Sequence, residues 1–153
     1  MTSEITQEKI ITEKKRIKPA TKKAGMQVRA KKKTAIARAT IKKGTGKIKI
    51  NQMGLNAYSE GHVLSLIKEP VKIANEIAGE YDINVIVKGS GRMSQAFAIR
   101  SVIAKAFVKA KGKKFKELFT LYDRTLLVDD VRKVETKKPL GRKARAKKQQ
   151  SKR

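Results

Sequence analysis

Residues 83–110 read INVIVKGSGRMSQAFAIRSVIAKAFVKA, and three signals follow one another within them. Ile83, Val85 and Val87 alternate with Asn84 and Lys88, the period-two pattern of a half-buried strand. Gly89, Ser90 and Gly91 then interrupt it. From Met93 the apolar residues recur at helical spacing: Ala96, Ile99, Ile103, Phe107 and Ala110 make one stripe, with Lys105 and Lys109 opposite and Arg100 at its border. A strand, a glycine turn and a long helix in direct succession predict an α/β fold, a small sheet with helices packed on it.

Upstream, residues 34–43 (TAIARATIKK) alternate, with Ala35, Ala37, Ala39 and Ile41 on one side and Thr34, Arg38, Thr40 and Lys42 on the other. Gly44, Thr45 and Gly46 suit a tight turn, and residues 47–50 (KIKI) alternate again, so the two runs predict a hairpin. Residues 51–54 carry a second turn signal. Residues 55–68 show no clear period, although 62–67 would suit a short helix. Pro70 fits a first helical turn, followed by a face of Val71, Ala74 and Ala78, with Ile77 at its edge and Gly79 closing it. Downstream, residues 115–122 (FKELFTLY) predict a short helix burying Phe115, Leu118, Phe119 and Tyr122, and residues 125–128 have strand-like composition. The expected order is β-β-α-β-α, without an internal repeat.

The chain of 153 residues holds 39 Lys+Arg against 13 Asp+Glu, a net charge of +26. The excess is uneven. Residues 1–33 carry 11 basic and 3 acidic side chains, residues 34–131 carry 17 and 9, and residues 132–153 carry 11 and 1. We therefore expect one globular domain over 29–131, a basic N-terminal extension over 1–28 and an extended basic C-terminal arm over 132–153, both extensions disordered when the protein is alone. From residue 136 onward the sole large apolar side chain is Leu140, so burial there cannot offset the entropy of ordering. The nine basic residues from Lys137 onward exceed what solubility needs, and suit an arm that orders on nucleic-acid phosphates.

Composition also excludes whole classes. With no Cys there is no disulfide framework, Cys-ligated zinc, iron–sulfur cluster or thiol nucleophile. A single His, His62, leaves no multi-His metal site and reads as an ordinary surface or partly buried residue. No apolar run approaches the ~18 residues of a membrane span, the N-terminus lacks a signal-like apolar stretch, and Glu4, Glu8 and Glu13 argue against a transit peptide. The expectation is a soluble, intracellular protein with no cofactor, no metal, no membrane partner and no small-molecule substrate.

Two glycine motifs invite a nucleotide and fail the test. Gly44, Thr45, Gly46 and Lys47 resemble the end of a phosphate-binding loop, but Ile41 and Ile48 stand where Gly and Ser or Thr are needed. Residues 89–94 (GSGRMS) lie where a dinucleotide loop would, yet Ser94 replaces the third Gly, and Lys111, Lys113 and Lys114 occupy the region of the acidic ribose ligand. What remains is a helix start beside Lys88 and Arg92, a setting that suits a phosphate of a nucleic-acid backbone. Asp129 and Asp130 lack a third metal ligand and read as local partners of Arg132 or Lys133. No Trp is present and the Phe and Tyr fall mostly on predicted core faces, so recognition is expected through phosphates and shape, not base stacking. A chromatin-type DNA binder would share the charge, but no dimer seam or groove-reading helix is evident. A small phosphotransferase would need nucleotide binding at 89–94.

Three ordered segments, 29–51 (RAKKKTAIARATIKKGTGKIKIN), 87–107 (VKGSGRMSQAFAIRSVIAKAF) and 122–153 (YDRTLLVDDVRKVETKKPLGRKARAKKQQSKR), resemble the ninth small-subunit ribosomal protein, the universal S-nine family, in its archaeal and eukaryotic form. Ser90 and Ser94 stand where that family favours Gly, and Val102 replaces a small residue. The resemblance implies an α+β sandwich like the second domain of ribosomal S-five, docked on small-subunit rRNA in the head beside neighbouring head proteins, in the cytoplasm. It further implies a C-terminal arm reaching the peptidyl-site tRNA. The residues expected on rRNA are Lys31, Lys32, Lys33, Arg38, Lys88, Gly89, Gly91, Arg92, Gln95, Arg100, Arg124, Arg132, Lys137, Lys138, Arg142, Lys143 and Arg145. Those expected on tRNA are Ser151, Lys152 and Arg153. No residue is expected to be catalytic.

Overall fold

The structure, a computed structural model, describes residues 25–146. The strands are β1 (Met26–Lys32), β2 (Ala35–Lys43), β3 (Ile48–Ile50), β4 (Met53–Gly54) and β5 (Tyr81–Lys88). The helices are α1 (Leu55–Tyr58), α2 (Gly61–Ile73), α3 (Asn75–Ala78), α4 (Arg92–Lys111) and α5 (Lys113–Tyr122), followed by a 3-10 turn at Arg124–Leu126. The expected α/β class holds: one five-stranded sheet in the order β1-β2-β5-β3-β4, with α4 packed on β1, β2 and β5.

The inward rows are those that alternation predicts: Ala35, Ala37, Ala39 and Ile41 of β2, and Ile83, Val85 and Val87 of β5, all buried. Small alanines let the long helix approach closely. α4 is buried well beyond its predicted stripe, because Ala98, Val102, Ala104 and Ala106 are also covered. The sheet takes one side of the helix, and α2 and α5 pack on others.

The predicted hairpin between residues 34–43 and 47–50 does not form. β5 lies between these strands, antiparallel to β2 and parallel to β3. Alternation marks each run as a strand but does not choose its neighbours. The link over 44–47 is instead clasped by β5. The Asp82 carboxylate accepts from the backbone N–H of Thr45 and Lys47, each at 2.9 Å, and Gly44 N–H donates to the Glu80 carbonyl. A Cβ at Gly44 would overlap that carboxylate. Beyond the last β3 residue, the Asn51 side chain continues the ladder, accepting from Val87 N–H at 2.9 Å and donating to Val87 C=O at 3.3 Å.

Other expectations need correction. Pro70 is internal to α2 instead of opening a helix; Leu66, Ile67 and Pro70 are buried, and that burial carries the helix through. Residues 125–128 form no strand: Asp123 accepts from Thr125 N–H and Oγ1, which tightens the chain into the 3-10 turn and seats Leu126 in the core. In α5 only Phe119 is fully buried, while Leu118 and Tyr122 are largely exposed. β1 forms where the sequence pattern predicts no strand, and its first three residues fall within the expected N-terminal extension over 1–28. It is an edge strand contributing little to the core beyond Ala30 and Val28. Its outward carbonyls are all engaged: Gln27 by Lys109 Nζ, Arg29 by Lys105 Nζ, and Lys31 by Asp130 N–H. Residues 132–146 form no helix or extended strand, and nearly all are exposed.

Candidate nucleic-acid interface

β1 and β5 both run antiparallel to β2. The C-terminal ends of β1 and β5 therefore lie at the same end of the sheet as the start of β2, and α4 begins there too. This topology gathers Lys31, Lys32 and Lys33 with Lys88, Gly89, Gly91 and Arg92, residues that are far apart in the chain.

Close backbone contact holds the two turns together. Gly89 has φ +83°, and a Cβ there would sit 2.5 Å from the Thr34 carbonyl oxygen. Ser90 also has positive φ, at 59°, which explains why glycine suits that position. Gln95 locks the loop from the helix side: its Nε2 donates to the Gly89 carbonyl at 3.1 Å, and its Oε1 accepts from the Tyr58 hydroxyl at 3.0 Å. Burial pushes the Tyr58 hydroxyl up, and Arg92 opposes this only in part, so the group remains a neutral donor at physiological pH. No side chain caps Gly91, and no acid lies in the first turn of the 20-residue α4. Its positive end thus faces outward between Lys88 and Arg92, both exposed, which favours an anion. Gly89→Ala is expected to cost about 3 kcal/mol, since a left-handed backbone and a backbone clash add. A fall in melting temperature of roughly 10 °C would register this; an unchanged melt would mean that the two turns are not in contact.

The arm leaves the body beside the same end. Asp129 Oδ1 accepts from Lys31 N–H at 3.1 Å and from Lys105 Nζ at 2.6 Å. The Asp130 carboxylate takes the Arg132 guanidinium through Nε and a terminal nitrogen at 2.8 Å, and lies 3.7 Å from Lys32 Nζ. The Arg132 hydrogen bonds hold the Asp130 carboxyl far below the usual carboxylate range. The local partnership with Arg132 expected from sequence is present, and it is joined to β1.

The remaining expected contacts separate into groups. Lys32 turns toward the helix layer, its Nζ 5.4 Å from the centre of the Phe97 ring, while Lys33 stands exposed in the β1–β2 turn. Arg38 and Lys31 stand on the sheet face opposite α4, and Arg124 is exposed in the 3-10 turn. Lys137, Lys138, Arg142, Lys143 and Arg145 are exposed; Arg145 and Lys138 reach Glu135 at 2.8 and 3.6 Å. Ser151, Lys152 and Arg153 lie outside the described residues. Arg100 must be removed from the phosphate-facing set. It is buried, with Nε 2.5 Å from Glu69 Oε2, an ion pair without an aligned hydrogen bond, and a terminal nitrogen 3.0 Å from Asp123 Oδ2. Its helical position borders the apolar stripe, and the carboxylates that claim it come from α2 and from the end of α5, at separations no motif reveals. Tyr58, which steadies Gln95, is hidden from sequence reading for the same reason.

A small basic α/β body with cations gathered at one end of its sheet, continued by an exposed basic arm, is the class that these features define. Residues 30–153 match the family model described as ribosomal protein S9/S16. The protein named small ribosomal subunit protein uS9 of Methanococcus vannielii is 46% identical over 110 residues, covering 71% of this chain and 82% of its own. Those of Thermoplasma volcanium and of Methanococcus maripaludis strain C5 are 48% and 44% identical, each covering 79% of this chain and 92% of its own. The chain belongs to the ribosomal protein S9/S16 family, and these relatives are archaeal.

Proposed function

We propose that this protein is a structural component of the small ribosomal subunit in the cytoplasm, without enzymatic activity. It binds small-subunit rRNA in the head, beside neighbouring head proteins, and its C-terminal tail reaches the peptidyl-site tRNA. The observation that carries the reading is the convergence of Lys33, Lys88 and Arg92 around the uncapped start of α4, next to the root of an arm with almost no acid. Family membership supports the partner. The work required is electrostatic: lysines and arginines neutralise phosphates and release condensed counterions, while the body sets register. Arg92, Arg142 and Arg153 each offer a planar fork that grips a phosphate with two bonds.

Sedimentation tests the placement: the endogenous protein should travel with small subunits and stay on them through a moderate salt wash. Deleting Ser151, Lys152 and Arg153 should weaken peptidyl-site tRNA binding several-fold while assembly proceeds. Unchanged tRNA affinity and decoding in that deletion would refute the tail's role.

A further inference from the structure

We propose that the open face of the sheet carries a second phosphate-binding patch, formed by Lys42, Lys47 and Lys49, that holds another stretch of rRNA backbone. This rests on the reading of the chain as an rRNA-binding protein and extends it to residues outside the helix-start cluster and the arm. Lys42 at the end of β2 stands opposite Asp82 of β5, and Lys49 of β3 stands beside Asn84 of the same strand. With Lys47 ahead of β3, the three lysines rim a concavity of about 420 Å³, lined also by Thr40, Asp82, Asn84 and Ile83, the last almost wholly buried. All three are exposed, and among the described residues none is in a salt bridge. The single carboxylate in the concavity, Asp82, is committed to the backbone N–H groups of Thr45 and Lys47, which hold it below its ordinary pKa. That carboxylate stays ionised, so the concavity holds three ammonium groups against one carboxylate, a net of +2.

The patch is a separate site. Asp82 and Lys88 lie at opposite ends of β5, six residues or about 20 Å apart, so one phosphate cannot serve both clusters. Between the clusters the same face sets Arg29 directly across from Arg38. Like charges so placed destabilise a sheet unless an anion lies over them. Charge also decides the occupant. Residues 1–24 hold seven Lys+Arg against three Glu, the wrong sign to cover the patch. The first described residue, Gly25, lies against Thr40 and Lys42. A protein partner would want a desolvated apolar anchor, whereas the lining offers a hydroxyl and an amide, groups suited to a ribose 2′-OH.

The test uses the full-length chain carrying Lys42→Gln, Lys47→Gln and Lys49→Gln together, titrated against small-subunit rRNA across a salt series. A parallel variant carries Lys33→Gln, Lys88→Gln and Arg92→Gln. Removing three phosphate contacts should lower the log–log salt slope by about two to three and weaken binding on the order of a hundredfold at 0.15 M salt. Thermal unfolding should not change, because the three ammonium groups are exposed. Weakened binding in the helix-start variant with none in the sheet variant overturns the patch and leaves the rRNA reading intact. Absence of salt-dependent rRNA binding by the unaltered protein overturns both. In assembled subunits, Lys42, Lys47 and Lys49 should resist acetylation until ribonuclease is added. Protection that survives ribonuclease would place a protein there and refute the RNA assignment.

Discussion

A chain ended at Glu135 is expected to lose rRNA affinity steeply while its body melts as before. The deletion removes nine basic residues. If only half of them neutralise a phosphate, the log–log salt slope falls by about three to four and affinity at 0.15 M salt drops about a thousandfold. The body should be indifferent, because among the described residues Leu126 is the last fully buried side chain, and the ion pairs made by residues beyond Glu135 reach Glu135 alone. Filter binding across a salt series, paired with a thermal melt, separates the two effects. An unchanged salt slope would mean that the arm does not dock on RNA. A lowered melting temperature would mean that it belongs to the body.

Arg100→Met is expected to do the reverse. The Arg100 side chain is 8% exposed and its guanidinium bridges Glu69 and Asp123, whose side chains are 30% and 29% exposed. Removing one partner of a fully buried pair costs about 3–5 kcal/mol. Here both carboxylates regain some water, so about 2 kcal/mol is the better figure, a fall of roughly 8 °C in melting temperature. The effect depends on pH. Burial raises the Asp123 carboxyl, but hydrogen bonds from Thr125 and from Arg100 outweigh it and hold the group below its ordinary value. A depressed carboxylate stabilises the fold above its unfolded pKa, and that contribution is lost as pH falls through the folded value. The gap between wild type and Arg100→Met should thus be widest near neutrality and narrow below about pH 4. RNA affinity measured well below the melt should not move. A loss of affinity without a loss of stability would return Arg100 to the interface.

What the sequence made legible follows from what periodicity can encode. The inward rows of β2 and β5 and the long α4 are repeats of side-chain type along one element, and alternation or helical spacing displays them directly. Strand order is a relation between elements, so β5 separating β2 from β3 left no trace in either run. β1 is not legible because an edge strand needs only one or two core residues, here Val28 and Ala30 beside three basic residues. Gly89, Lys88 and Arg92 were legible because a glycine turn into a helix is local. Lys33 joining them depended on β1 and β5 running the same way, and Arg100's burial depended on Glu69 and Asp123 arriving from other elements. Lys42, Lys47 and Lys49 alternate with other side chains in the sequence, but only the one-sided helix layer distinguishes a bare face from a covered one.

The satisfied rim of β1 has a consequence for the protein before it meets its partner. A bare margin on an edge strand would let copies stack through their main chains into filaments. Lys105, Lys109 and the Asp130 N–H occupy the outward carbonyls and Asp129 takes the Lys31 N–H, so this margin offers a second strand no free acceptor. With a net charge of +26, separate copies also repel one another, and both features work against self-association.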